Sequence, residues 1–327
     1  MIPNISLRIN KATFLLSKNN IMAIKPSAAQ VKTETESELL ERVKRLAVVA
    51  MFSDDELRDH LVLKGGNAMD LIHRLSTRAS VDLDFSMQHD FPDAPDDFKA
   101  RVERALLRIF QPENFEVFDV DLKVKPRVIP AEDPMSKFWG GYAIEFKLIK
   151  SDLFIKYSDD ITNLRNYCLS IGQGKKFLID ISRFEYTSGK MEADLNGYTI
   201  FVYSPEMIVC EKLRAICQQM PEYGPIIKRA RPGTARARDF FDICVLVEAA
   251  RVDMSLPVNQ SILIEMFKAK NVPIDFLGNI ESQRDFHKND FPAVAAAVKP
   301  GVDMRDYDYY FDYTLSIVKK LESLWHK

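Results

Sequence analysis

The sequence predicts an α+β fold: a mixed β-sheet flanked by helices, followed by a C-terminal helical domain. Three observations predict it. Residues 61–85 read strand, glycine turn, short helix, strand. Short runs at 120–124, 142–148, 177–182 and 199–203 have strand character, the first two with apolar and polar residues alternating. From Ser204 onward, apolar residues recur at helical spacing. The expected division is an N-terminal arm over 1–32, a sheet domain over 33–203 and a helical domain over 204–327.

A chain of 327 residues has room for two domains. At 46% apolar and 28% charged it has the composition of a soluble globular protein. Its net charge of −2 does not advertise nucleic-acid binding, so any such surface must be a local patch. Cys168, Cys210, Cys217 and Cys244 show no Cys-x-x-Cys spacing, and buried thiols in a reducing cytoplasm are expected rather than disulfides or zinc. No run of 18 apolar residues is present, so no membrane span is expected, and the first residues lack the apolar core of a signal peptide.

In chain order, the arm mixes Asn, Lys, Ser and Pro, with a short helix expected near 11–17. Thr33 with Glu36 and Thr35 with Glu38 are overlapping capping boxes. Leu39, Leu40, Val43, Leu46, Ala47 and Ala50 then follow at helical spacing, a face suited to packing on the sheet. Residues 54–60 form a second short helical turn. Leu61, Val62 and Leu63 make a strand stopped by Lys64, Gly65 and Gly66, and residues 67–75 have helical spacing. A glycine pair frees backbone N–H groups to face a ligand, and a helix N-terminus just beyond it suits a phosphate.

In the strand at 81–85, period 2 puts Val81, Leu83 and Phe85 on one face, and Asp82 and Asp84 on the other. Two such charges about 4 Å apart repel by roughly 4 kcal/mol at an effective dielectric of about 20, so the pair calls for a cation. Mg²⁺ takes carboxylate oxygens together with substrate phosphates. Alone, Asp-x-Asp reads as a solvated strand face and Gly-Gly as a turn. Joined in one unit, they point to a phosphate cradle beside a metal-binding pair.

This stretch, Lys64-Gly65-Gly66-x-Ala68 followed by Arg78, Ser80, Val81, Asp82, Leu83, Asp84 and Phe85, resembles the AbiEii/MenT nucleotidyltransferase toxin family, within the DNA polymerase β-like superfamily. Asn67 stands where that family commonly has Thr or Ser. The resemblance spans roughly 40–250 and implies a nucleotidyltransferase-type sheet. It implies Mg²⁺, or Mn²⁺ in its place, with an NTP as substrate. It also implies nucleotide contacts from Lys64, Gly65, Gly66 and Asn67.

Beyond the unit, Phe98, Val102, Ala105, Leu106 and Ile109 form an amphipathic helix stopped by Pro112, and 161–171 reads as another helix. In the run at 177–182, Asp180 lies among apolar residues; a buried carboxylate there must face a cation or donors. By resemblance, Asp180 is the third metal-binding carboxylate beside Asp82 and Asp84, with Glu185 as its stand-in; the plainer reading is a strand-end aspartate capping a turn. Ser204 and Pro205 start a helix that is apolar almost all round. Lys212 shares a stripe with Ile208 and Ile216 and either snorkels or meets a partner. The resemblance makes it a catalytic-site lysine that holds the triphosphate.

Lys228, Arg229, Arg231, Arg236 and Arg238 form the densest basic run, a solvated loop or an RNA contact. Asp239 and Asp242 open the next helix as an Arg-Asp-x-x-Asp motif. By resemblance Asp239 is functional: it orients Lys212 or a loop arginine, or acts as a base toward the incoming hydroxyl. Equally, acids in a first turn favour the helix dipole, and Asp242 can pair with Arg238. Residues 262–267, 291–298 and 310–324 are further helices.

The function the resemblance implies is transfer of NMP to the 3′ end of tRNA. That would be the action of a cytoplasmic toxin in an AbiE-like (type IV) abortive-infection, phage-defence system, with an antitoxin as partner and no membrane. Transfer to a protein hydroxyl and a non-catalytic nucleotide-binding regulator are the other readings.

Overall fold

The computed structural model describes residues 34–75, 82–92, 94–127, 130, 132–170, 174–299 and 301–325. The N-terminal arm and its helix, Thr33, the whole of 76–81 with Arg78, Ser80 and Val81, and Ile171 lie outside the described residues.

Helix α1 (Glu36–Phe52) begins at Thr35, whose hydroxyl and Glu38 close the expected capping box. Asp54 caps α2 (Asp55–His60), which leads into β1 (Val62–Lys64). The strand runs one residue further than its apolar stretch and includes Lys64. Instead of one helix over 67–75, a single turn at Gly65–Asn67 widens into a π-helical segment, Ala68–Ile72. It ends where Arg74 takes a positive φ of 56°. Strand β2 (Leu83–Ser86) follows.

Strand β2 is followed in sequence by α3 (Pro95–Phe110), then by the long strands β3 (Phe115–Lys125) and β4 (Gly141–Lys150). Both strands exceed their alternating cores, and their pairing shifts between Phe118 and Asp121. Then come β5 (Phe177–Ser182), β6 (Met191–Leu195) and β7 (Tyr198–Val202). The sequence reading missed β6. It pairs with β7 through an exposed turn at Asn196 and Gly197, both with positive φ, but it carries Glu192 and Asp194 in place of an apolar run.

The sheet has the order β3-β4-β5-β2-β1-β7-β6 and is mixed. β1 runs antiparallel to β2 and parallel to β7, while β2 runs parallel to β5. Leu83 and Phe85 turn to a core that includes Phe52 of α1, whose ring lies 6.0 Å from that of Phe85. The opposite row of side chains is left for the site.

After β7, Ser204 caps α4 (Pro205–Cys217), with its hydroxyl accepting from the Met207 N–H at 3.3 Å. Around α4 pack α5 (Ala237–Ala250) and α6 (Pro257–Lys268), and α7 (Tyr307–Lys319) packs on α5. The described residues from Thr35 onward form one unit, in which sheet and helices share a main apolar core, with a smaller cluster at Phe118, Ile149, Leu164 and Cys168. All four cysteines are free and buried. No helix among the described residues is long and apolar enough to cross a membrane.

Gly141 opens β4 where it pairs with Ser182 of β5. A Cβ there would lie 2.0 Å from the Ile181 carbonyl oxygen, so the strands would have to part. Gly141→Ala is expected to cost at least about 2 kcal/mol, read as a lower urea midpoint.

Candidate active site

Strand register assembles the centre of the site. Lys64 of β1 is opposite Asp84 of β2, and Asp84 is opposite Asp180 of β5. Neighbouring residues in register point to the same face, so one ammonium and two carboxylates form a row across three central strands. Gly65 sits beside this row with φ +70°, and a Cβ there would be 2.9 Å from Asp84 Oδ2. Glycine meets both demands, the positive φ and the close approach.

The row faces a cleft of about 430 Å³. It is lined by Lys64, Asp84 and Asp180 of the sheet, by Trp139 and Tyr142, by Glu211 and Arg214 of α4, and by Arg236 and Lys270. Asp84 is pushed up to about 6 by burial, with Glu211, Asp180 and Asp82 adding to the rise and Lys64 opposing it. Asp180, expected to be mostly buried, is 34% exposed because its side faces the cleft; its partner is Lys125, with Nζ 2.6 Å from Oδ1. Asp82 is exposed ahead of β2, close enough for its charge to act on Asp84, but it is not among the cleft-lining residues. The buried Asn67 also stands outside the lining; its amide donates to the Asp82 carbonyl, and its own oxygen has no partner among the described residues. Of the glycine-turn residues, Lys64 alone lines the cleft.

A second charge centre lies beside the first. Glu185, weighed as a stand-in for Asp180, is instead a fully buried anion among three cations. Arg214 grips it with two nitrogens at 2.7 and 3.3 Å, Lys270 lies at 3.4 Å and Lys64 at 3.6 Å. Burial alone would raise the Glu185 carboxyl; Arg214, Lys270 and Lys64 outweigh it and hold the group well below the usual range. Burial brings the Lys270 ammonium down to about 8, against the pull of Glu185. Three cations around one acid leave this part of the cleft positive, while Asp84, Asp180 and Glu211 make the adjoining part negative. Lys64 bridges them, donating to Ser182 Oγ at 3.1 Å and lying 4.0 Å from Glu211.

A third group is buried behind the cleft. Lys212 reaches Asp242 at 2.6 Å and Asp239 at 3.2 Å, and Asp239 also binds the Arg236 guanidinium. Lys212 therefore meets partners instead of snorkelling, and Arg236, not Lys212, lines the cleft. Although burial works to raise it, Arg236 and Lys212 hold Asp239 well below the usual carboxylate range, which makes it a weak base and an effective clamp.

The basic run divides in the same way. Arg229 donates to the Gln218, Gln219 and Met220 carbonyls just past α4, and Lys228 pairs with Asp133. Arg231 and Arg238 are exposed. Sequence reading missed Arg214 and Lys270. Arg214 had a signal, since a cation in an apolar helix needs a partner just as Lys212 does; Lys270 had none.

The carboxylate side of the cleft fits a hard divalent cation. Asp84 is raised first by burial and then by the neighbouring acids Glu211, Asp180 and Asp82, so its charge calls for a cation, and Mg²⁺ needs only one or two carboxylates when substrate phosphates supply other oxygens. Among the described residues no group of three or more His, Cys, Asp or Glu side chains is placed to hold a metal by itself.

The chain matches, over residues 47–313, the family described as nucleotidyl transferase AbiEii toxin, type IV TA system. Solved structures similar to it include JHP933 from Helicobacter pylori, at 17% identity over 88% of this chain and 93% of that one, with a TM-score of 0.45. Another is MenT4, a nucleotidyltransferase toxin from Mycobacterium tuberculosis, at 14% identity over 87% and 84%, with a TM-score of 0.46. No curated protein matches in sequence.

Two stability predictions follow from the charges. Asp84 binds its proton more tightly folded than unfolded, so it lowers stability as pH rises from an ordinary value of about 4 to about 6. Asp84→Asn is expected to raise Tm by about 2–4 °C above pH 6, with the gain vanishing near pH 4. Glu185→Gln leaves the buried Arg214 without its carboxylate and is expected to cost about 3–5 kcal/mol in urea melts, much of it recovered in the double variant with Arg214→Met.

Proposed function

The chain belongs to the AbiEii nucleotidyltransferase toxin family and is a nucleotidyltransferase; from that premise we propose that it moves NMP from an NTP, with Mg²⁺, to the 3′ end of tRNA and so blocks translation. In this reading it is the toxin of an AbiE-like phage-defence system, acts in the cytoplasm and is opposed by an antitoxin. The observation that carries the reaction is the row Lys64–Asp84–Asp180 facing a cleft with adjoining positive and negative parts.

Asp84 and Asp180 would hold Mg²⁺ or Mn²⁺, with Asp82 as a further ligand at the start of β2. The cation would lower the pKa of the attacking hydroxyl and offset charge on the leaving pyrophosphate. Lys64, Arg214 and Lys270 draw the β and γ phosphates to the positive part as point charges and a guanidinium fork. Arg236 faces the same space, held by Asp239, and Lys212 fixes Asp239. Lys212 thus serves the phosphates through two intermediaries. The new bond joins the acceptor oxygen to the α-phosphorus as the α–β bridge breaks and pyrophosphate departs.

A second acceptor, a protein hydroxyl, is favoured by one observation. Of the five cations expected to meet RNA, Lys228, Arg229 and Arg236 have partners within the chain, and the exposed remainder is Arg231 and Arg238.

The test is label transfer from each α-labelled NTP in Mg²⁺, with total tRNA and cell extract, resolved on RNA and protein gels. Label on tRNA is the expected result, label on protein alone replaces the acceptor, and no label on either overturns the reading. Asp84→Asn and Asp180→Asn are expected to lower transfer about a hundredfold or more. Lys212→Met should act in the same direction as Arg236→Ala, with no further loss when the two are combined.

A further inference from the structure

We propose that Trp139 and Gln218 form the nucleobase site of this cleft, and that the base they accept presents an exocyclic amine. The inference rests on the nucleotide reading above and adds which end of the cleft takes the base, and by what contacts.

Trp139 is the half-buried aromatic side chain in a lining otherwise rich in charge. The other aromatic there, Tyr142, is already engaged: its ring meets Phe98 edge-on at 5.1 Å and its hydroxyl donates to Asp90 at 2.7 Å. Trp139 meets Tyr223 at 6.3 Å with rings tilted by 60°, and the Lys270 ammonium lies 5.7 Å from the indole centroid. Among the described residues no ring stacks flat upon it. An indole beside a cation cluster suits a base whose phosphates lie on those cations, since stacking on an aromatic side chain tolerates any base and adds affinity.

Gln218 supplies the selection. The Tyr223 hydroxyl is 2.6 Å from the Lys270 carbonyl oxygen, which can only accept, so the phenol's one hydrogen goes there. The 3.2 Å contact between Gln218 and that hydroxyl must then be donated by the amide nitrogen. This fixes the amide orientation and leaves Gln218 Oε1 as an acceptor on a cleft-lining residue. Adenine, cytosine and guanine each offer an exocyclic N–H₂ to such an acceptor. Uracil offers only N3–H, flanked by two carbonyls that the amide oxygen would repel.

The full-length chain in MgCl₂ is titrated with ATP, CTP, GTP, UTP and inorganic tripolyphosphate, followed by tryptophan emission and in parallel by calorimetry. The chain has two tryptophans, and Trp139→Phe assigns the signal. The expected result is a change in emission with at least one amine-bearing NTP, none with tripolyphosphate, and loss of the change in Trp139→Phe. Trp139→Ala should weaken that NTP about tenfold or more while tripolyphosphate binds as before, which also shows that the variant is folded. Gln218→Leu should narrow the preference over UTP. Calorimetric NTP binding without a Trp139 signal, NTP affinity no better than that of tripolyphosphate, or tightest binding of UTP would each overturn the inference and leave the nucleotide reading standing. Failure of every NTP to bind would overturn that reading and the inference with it.

Discussion

The site depends on one buried carboxylate. Glu185 carries a negative charge where water does not reach, and such a charge persists only with cations around it. Those cations come from separate parts of the chain: Lys64 from the first strand, Arg214 from α4, and Lys270 from the turn after α6. Satisfying Glu185 therefore draws the helical region against the open face of the sheet. The cleft is the space that remains between them.

The same logic repeats at a second level. Asp242, Lys212, Asp239 and Arg236 alternate in sign from the buried flank of α5 to the cleft. Only the last group meets the space a substrate would fill. A charge at the surface of the site is thus aimed by charges that never touch it, as happens where a functional group must be held within a narrow range of orientations.

Much of this was legible in the sequence, for local reasons. The capping box at Thr35, the Ser204–Pro205 helix start and the period-2 face of Asp84 are decided by residues a few positions apart, and the structure has them as read. Strand β6 escaped because an exposed edge strand needs no apolar run. The helix expected over 67–75 begins earlier, at Gly65, and ends as a π-helical segment at Ile72, short of the left-handed Arg74. The site was legible in part: the glycine turn marked its position and the acids marked its chemistry. What spacing does not encode is which cation meets which acid. Asp239, expected to orient Lys212 or a loop arginine, holds both Lys212 and Arg236. Glu185 looked like a spare ligand, yet it anchors three cations.

The Asn196–Gly197 turn between β6 and β7 has a different consequence. It is exposed, both residues have positive φ, and a side chain built at Gly197 would meet nothing within 4 Å. It closes a hairpin at the end of the sheet, with β1 and β7 between β6 and the β2 acid. Loop tips of this kind accept inserted sequence. The turn is therefore a natural attachment point for a fluorophore or an affinity handle, one that would let the protein be immobilised or followed in a cell with its cleft open to the solution.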